Sequence, residues 1–229
     1  MPFLIGNSVS EWSDGIQGQD NWTNGWRNVT ADGGGDNYNP RTDFIAYTGG
    51  IDDGAWNGVQ QQWNGNAWDL NTAGAPPWTY LASEATHPNG TNNGDEHHTV
   101  RRWEAASGEE IDTVTPVAII WNMRKDNTNG NGVTGSVHHN GEMIDSLTIA
   151  GNDTEGSTRI VYANISPGDY IDLAHSPVGT TGTNDGSDSS RNWMRIDTRI
   201  PENPVQPDGS PFVSASGEDT DADELPDAW

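Results

Sequence analysis

Through the second half of the chain, apolar and polar residues alternate with a period of two. Val117, Ile119, Trp121 and Met123 fall on one face of an extended segment, and Ala118, Ile120 and Asn122 on the other. Val133, Gly135, Val137 and His139 alternate in the same way, and Asn140-Gly141 follows as a two-residue hairpin turn. Residues 142–150 then return as the partner strand. A further strand is predicted over 159–165. Pro167-Gly168-Asp169 turns the chain into another over 170–175, and Met194, Ile196, Thr198 and Ile200 mark the last. The first half is less regular. Strands are predicted at 22–29, 43–47 and 99–104. Between them, residues 49–80 form about thirty positions of weak periodicity, a length usually kept for functional or ligand-ordered loops. No long stretch carries apolar residues at the helical spacing. The pattern predicts an all-β chain: an antiparallel β-sandwich, a jelly roll, with long loops.

Toward the end the composition changes. Pro201, Pro204, Pro207 and Pro211 crowd together, and beyond them come acidic residues and no basic ones. This places a boundary at Pro207, with a β-sandwich module over 1–207 and an acidic linker over 208–229 that holds a partial calcium-binding loop.

Charge narrows the function. The chain has 34 acidic and 10 basic side chains, a net charge of −24, and Lys125 as its only lysine. Nucleic acid and anionic membrane both call for a basic face, so neither is expected as a partner. A surface this acidic suits salty or extracellular water and hints at a marine source. With no cysteine, disulfides and thiolate chemistry are excluded. Membrane insertion is not expected, because no apolar run is long enough to span a bilayer. Residues 1–6 lack the features of a signal peptide, so a secreted or cell-surface location implies a leader absent from this sequence. A hydrophobic content of 31% with 28 glycines points toward disorder, but eleven tryptophans point away from it.

Several short motifs carry a resemblance. They are the run from Asn131 through Val137, His138 and Gly141 to Glu142, the run Ile149-Ala-Gly-Asn-Asp-Thr-Glu-Gly, and the run Ser166-Pro-Gly-Asp-Tyr-Ile-Asp-Leu. His87-Pro88, Arg101-Arg102-Trp103 and Asn184-Asp-Gly-Ser-Asp188 belong with them. Over roughly residues 8–200 the chain resembles β-sandwich modules of large secreted proteins from marine and environmental bacteria. That resemblance implies a secreted, noncatalytic module, with glycan binding as its usual role, and assigns no site residue. The ending, from Asp219 to Trp229, resembles the calcium loops of thrombospondin type 3-like repeats.

Calcium is the expected cofactor. Asp219, Asp221 and Asp223 alternate, the Leu225 carbonyl and Asp227 fall at loop positions seven and nine, and Glu224 stands where a glycine is usual. Position twelve, which normally supplies a bidentate carboxylate, would fall just after Trp229. The spacing therefore predicts that the natural chain continues with Glu or Asp. Asp32 with Asp36, Asp185 with Asp188, and Asp52-Asp53 offer further oxygen-rich loops.

The ligand contacts are expected from tryptophans. Trp56, Trp63, Trp68 and Trp78 lie in the irregular segment among Gly, Asn, Asp and Gln, where an indole face can stack on a sugar ring while amides and carboxylates read its hydroxyls. Any of them could instead pin the loops, whereas Trp103 and Trp121 are expected in the core. Glu96-His97-His98 and His138-His139 suggest a metal or acid–base site. Neighbours on a strand face opposite ways, however, so only His97 or His98 meeting His139 across the sheet could chelate. No catalytic constellation is identifiable. Sequons stand at Asn21, Asn28, Asn89, Asn152 and Asn164. The reading is a noncatalytic, calcium-stabilised extracellular module that binds a polysaccharide or cell-surface glycan. Its rivals are a structural subunit of an adhesive or filamentous assembly, self-associating through an edge strand such as one holding Phe3, Leu4 and Ile5, and a glycan-active enzyme.

Overall fold

The structure, a computed structural model, describes residues 3–34, 37–51, 62–106, 111 and 113–215. In chain order its strands are β1 (Leu4–Asn7), β2 (Trp22–Asn28), β3 (Phe44–Ala46), β4 (Trp68–Asp69), β5 (Tyr80–Leu81), β6 (Ala85–His87), β7 (His97–Glu104), β8 (Thr115–Lys125), β9 (Val133–His139), β10 (Glu142–Ile149), β11 (Ser157–Ile165), β12 (Tyr170–Ser176) and β13 (Ser190–Asp197). They form two antiparallel sheets. The first runs β11-β8-β13-β6-β5-β4, with β1 also paired to β13; the second runs β10-β9-β12-β7-β2-β3. From β7 onward the chain repeatedly crosses from one sheet to the other, as in a jelly roll.

Period-two patterning places the core. Val117, Ile119, Trp121 and Met123 of β8 are all fully buried between the sheets, facing Val133, Val137, Ile171 and Leu173. The Trp121 indole still needs a hydrogen-bond partner. It donates to Asp145 Oδ2 at 2.9 Å, and Arg159 holds the same carboxylate through two bonds. The predicted hairpin joins β9 to β10. Asn140 (φ 51°) and Gly141 (φ 92°) both take the left-handed conformation that a tight turn between twisted strands requires.

A second, smaller cluster of Tyr47, Trp63, Trp68 and Leu81 fills the opposite end of the sandwich, with Trp12, Trp26 and Leu70 packed against it. Arg101 enters the interior beside it. It donates to Asn192 Oδ1 at 2.6 Å and to the Ala82 carbonyl at 2.7 Å, and burial pushes its guanidinium down to about 9.

Both terminal segments lie against the sandwich. Leu4, Gly6 and Asn7 pair with Asp197, Ile196 and Arg195 of β13, which uses one edge of β1 within its own sheet. The Pro-rich exit is docked rather than extended. The Gln206 side chain pairs with both the N–H and the carbonyl of Tyr162 on β11, Phe212 packs on the Tyr162 ring, and Asn164 bonds to Val213 and Ala215. The boundary predicted at Pro207 therefore falls inside a strap that lies against the outer strand of the first sheet. Among the described residues, no helix is long and apolar enough to cross a membrane.

Candidate functional site

A concavity among the described residues lies on the outer face of the first sheet, over β4, β5 and β6. Cross-strand register builds it. Trp68 sits opposite Leu81, Leu81 opposite Thr86 and Thr86 opposite Ser190, and this row is buried. The alternate row must then face outward, and there Asp69 lies opposite Tyr80 and Tyr80 opposite His87. Asn71, Gly74, Trp78 and Ser189 complete a cleft of about 200 Å³.

Its rim is braced from within. Asn71 accepts from the Ala73 N–H and donates to the Pro76 carbonyl, which shapes the loop leading to Trp78. The Trp78 N–H donates to Asn89 Oδ1 at 2.8 Å, and the next side chain, Thr79, bonds to His97 Nδ1. An indole that remains 38% exposed is thus carried on an anchored backbone. Among the described residues the Asp69 carboxylate accepts one hydrogen bond, from the Asn71 N–H at 3.0 Å, and partial burial pushes its carboxyl above the usual range. Burial likewise raises the Tyr80 phenol, so it stays protonated at neutral pH. His87 Nδ1 lies 2.6 Å from the Pro88 carbonyl, and burial lowers the pKa of this imidazole.

The four tryptophans expected to bind ligand separate. Trp78 reaches the cleft. Trp63 and Trp68 are 3% and 0% exposed and pack on each other and on Tyr47 in the second core cluster. This corrects the expectation for those two: an indole enclosed on both faces cannot stack on a sugar. Trp56 lies outside the described residues.

The expected calcium ligands fare as follows. Asp32 pairs with Arg27 at 2.6 Å. Asp185 is buried and accepts from the Gly90 N–H, Asn92 and Asn93, so it fastens one loop to another. Asp188 is buried against Lys125 at 3.3 Å, leaving Oδ2 without a hydrogen-bond partner. Burial pushes its carboxyl up to about 7, and the adjacent ammonium opposes that rise. The sole lysine thus supplies the cation in this loop. Among the described residues, no group of three or more His, Asp or Glu side chains gathers as a metal site. Asp36, Asp52, Asp53, Asp219, Asp221, Asp223, Leu225 and Asp227 lie outside the described residues.

The histidines do not converge as a chelating set. His97 packs on Trp26, His98 contacts Glu96, His138 bonds to Ser136, and His139 bonds to Asp169 at the far corner of the second sheet. The cleft residues that sequence reading missed are Asp69, Asn71, Tyr80, His87 and Ser189. Strands of two and three residues are too short to show a period, so no pattern distinguishes Asp69 from Trp68. His87-Pro88 was visible as a motif, but only the pairing of β5 with β6 gives it a place.

No protein-family model matches the sequence, and no curated protein matches it. Among solved structures the chain is similar to a family 35 carbohydrate binding module from Clostridium thermocellum, at 13% identity and a TM-score of 0.30, covering 44% of this chain and 72% of that one. It is also similar to the C-terminal family 6 module of a marine laminarinase from Zobellia galactanivorans (14%, TM-score 0.29, 49% and 90% covered). A third is a module of a Cellvibrio mixtus lichenase in complex with cellotriose (15%, TM-score 0.27, 50% and 87% covered). Likenesses this distant bring no ligand or residue role to this chain; those rest on the cleft itself.

Proposed function

We propose that the chain is a noncatalytic module that binds carbohydrate in the cleft over β4, β5 and β6, in an extracellular setting. One observation carries this reading: a half-exposed indole, Trp78, is held on a braced loop beside Tyr80, next to a row of polar groups from Asp69 to His87. An aromatic face takes the C–H face of a sugar, and the polar row takes its hydroxyls. Hydrolysis by the usual route needs two carboxylates flanking one bond, and Asp69 is the only carboxylate among the described lining residues. Calcium belongs to this proposal through the run from Asp219 to Asp227, on the sequence spacing alone.

Affinity electrophoresis against a panel of polysaccharides tests the reading. The expected result is retardation by at least one glycan, lost in Trp78→Ala, with no sugar released from any of them. Retardation that survives Trp78→Ala would place the site elsewhere, and released product would make the chain an enzyme.

A further inference from the structure

Among the described lining residues there is one carboxylate, Asp69, and no lysine or arginine, while Trp78, Tyr80 and Ser189 offer donors. Asp69 contributes a carboxylate whose one protein hydrogen bond among the described residues is from Asn71. His87 contributes a second acceptor. The Pro88 carbonyl can only accept, so the proton between them sits on Nδ1, and Nε2 keeps its lone pair. The Asn71 amide is already engaged with Ala73 and Pro76. Near the cleft stands Arg191, paired with two carboxylates, Asp126 at 2.7 Å and Glu84 at 3.5 Å. The cleft belongs to a molecule of net charge −24.

An anionic sugar would bring a further negative charge close to Asp69, whereas the hydroxyls of a neutral sugar both donate and accept and bring none. We propose that the cleft selects uncharged, hydroxyl-rich glycans and rejects those whose bound sugars carry carboxylate or sulfate. This rests on the reading of the cleft as a sugar site and adds to it the class of sugar. Within the cleft, Asp69 is the group that enforces the selection. Its partly buried charge is screened by solvent less than the surface carboxylates are, so the effect persists at high salt.

The test is calorimetric titration of the full chain with paired neutral and uronic-acid oligosaccharides of equal length and linkage, such as oligomannose and oligomannuronate. The runs are made in about 0.5 M sodium chloride, which screens the general surface charge. The neutral member is expected to bind at least about tenfold more tightly than its acidic counterpart. In Asp69→Asn that gap narrows, since the amide still accepts from Asn71 but carries no charge. Equal or tighter binding of the acidic member overturns the inference, as does a gap unchanged in Asp69→Asn. Binding of neither member, or neutral binding indifferent to Trp78→Ala, overturns the reading of the cleft itself and this inference with it.

Discussion

Trp68 and Trp78 show how little residue type says about role. Both are indoles from one irregular segment; one is fully buried and the other more than a third exposed. Trp68→Ala removes a large core side chain and should cost about 3–5 kcal/mol of stability, measured by urea unfolding. Trp78→Ala should change stability by less than about 1 kcal/mol and still abolish glycan retardation. If the two variants unfold alike, Trp78 is structural. His175 makes a second point at this scale. It lies fully buried, with Nδ1 on Thr86, and burial holds its pKa well below the usual histidine value. As pH falls through about 6.5, the unfolded chain takes up a proton at this residue and the folded chain does not. Stability is therefore lost on acidification, by up to about 1.4 kcal/mol per pH unit from this one group. Unfolding of the protein beside His175→Gln between neutral and mildly acid pH isolates that term. The wild type should lose ground to the variant as pH falls, and parallel curves would mean that the imidazole titrates freely in the fold.

At the scale of elements, the long strands and β3 were legible, and β4, β5 and β6 were not. The alternation over β8 and β9, the span of β12 and the Asn140-Gly141 turn are local features, and the structure keeps them nearly residue for residue. β4, β5 and β6 hold two or three residues each and exist only because neighbouring strands offer them edges. The strap over β11 is another element that the sequence masks, since four prolines there read as a free linker. Its Gln206 side chain replaces a missing strand by meeting both backbone groups of Tyr162. In Gln206→Ala the Tyr162 amide should exchange with solvent at least about tenfold faster, while amides on β8 stay unchanged. Exchange at Tyr162 that does not move would show that the strap leaves this edge unprotected.

For the whole molecule, charge is the leading consideration. A net charge of −24 opposes compaction, and several of the described carboxylates are paired with arginines, with Lys125 or with loop amides. Monovalent salt should therefore raise the melting temperature by screening. Calcium is expected to add a rise beyond matched monovalent salt through the run from Asp219 to Asp227, so a chain ending at 215 should show a smaller calcium-specific rise than the full chain. An equal rise in the two chains would place the ion site within residues 1–215 instead.

By itself the sequence determined what depends on neighbours along the chain. The period of two set the strands and their inward faces, the Asn-Gly pair set a turn, and composition excluded cysteine chemistry and argued against a basic binding face. Tertiary structure decided what depends on residues far apart in sequence. It placed Asp69, Tyr80 and His87 in one row, because each lies opposite the next across strands too short to announce themselves. It sent Trp63 and Trp68 inward, and it assigned Asp188 to Lys125. The physical reason is that a side chain's face is a local property of the backbone, whereas its partner is set by which strand edges meet, and that is a choice made by the packing of the whole sandwich.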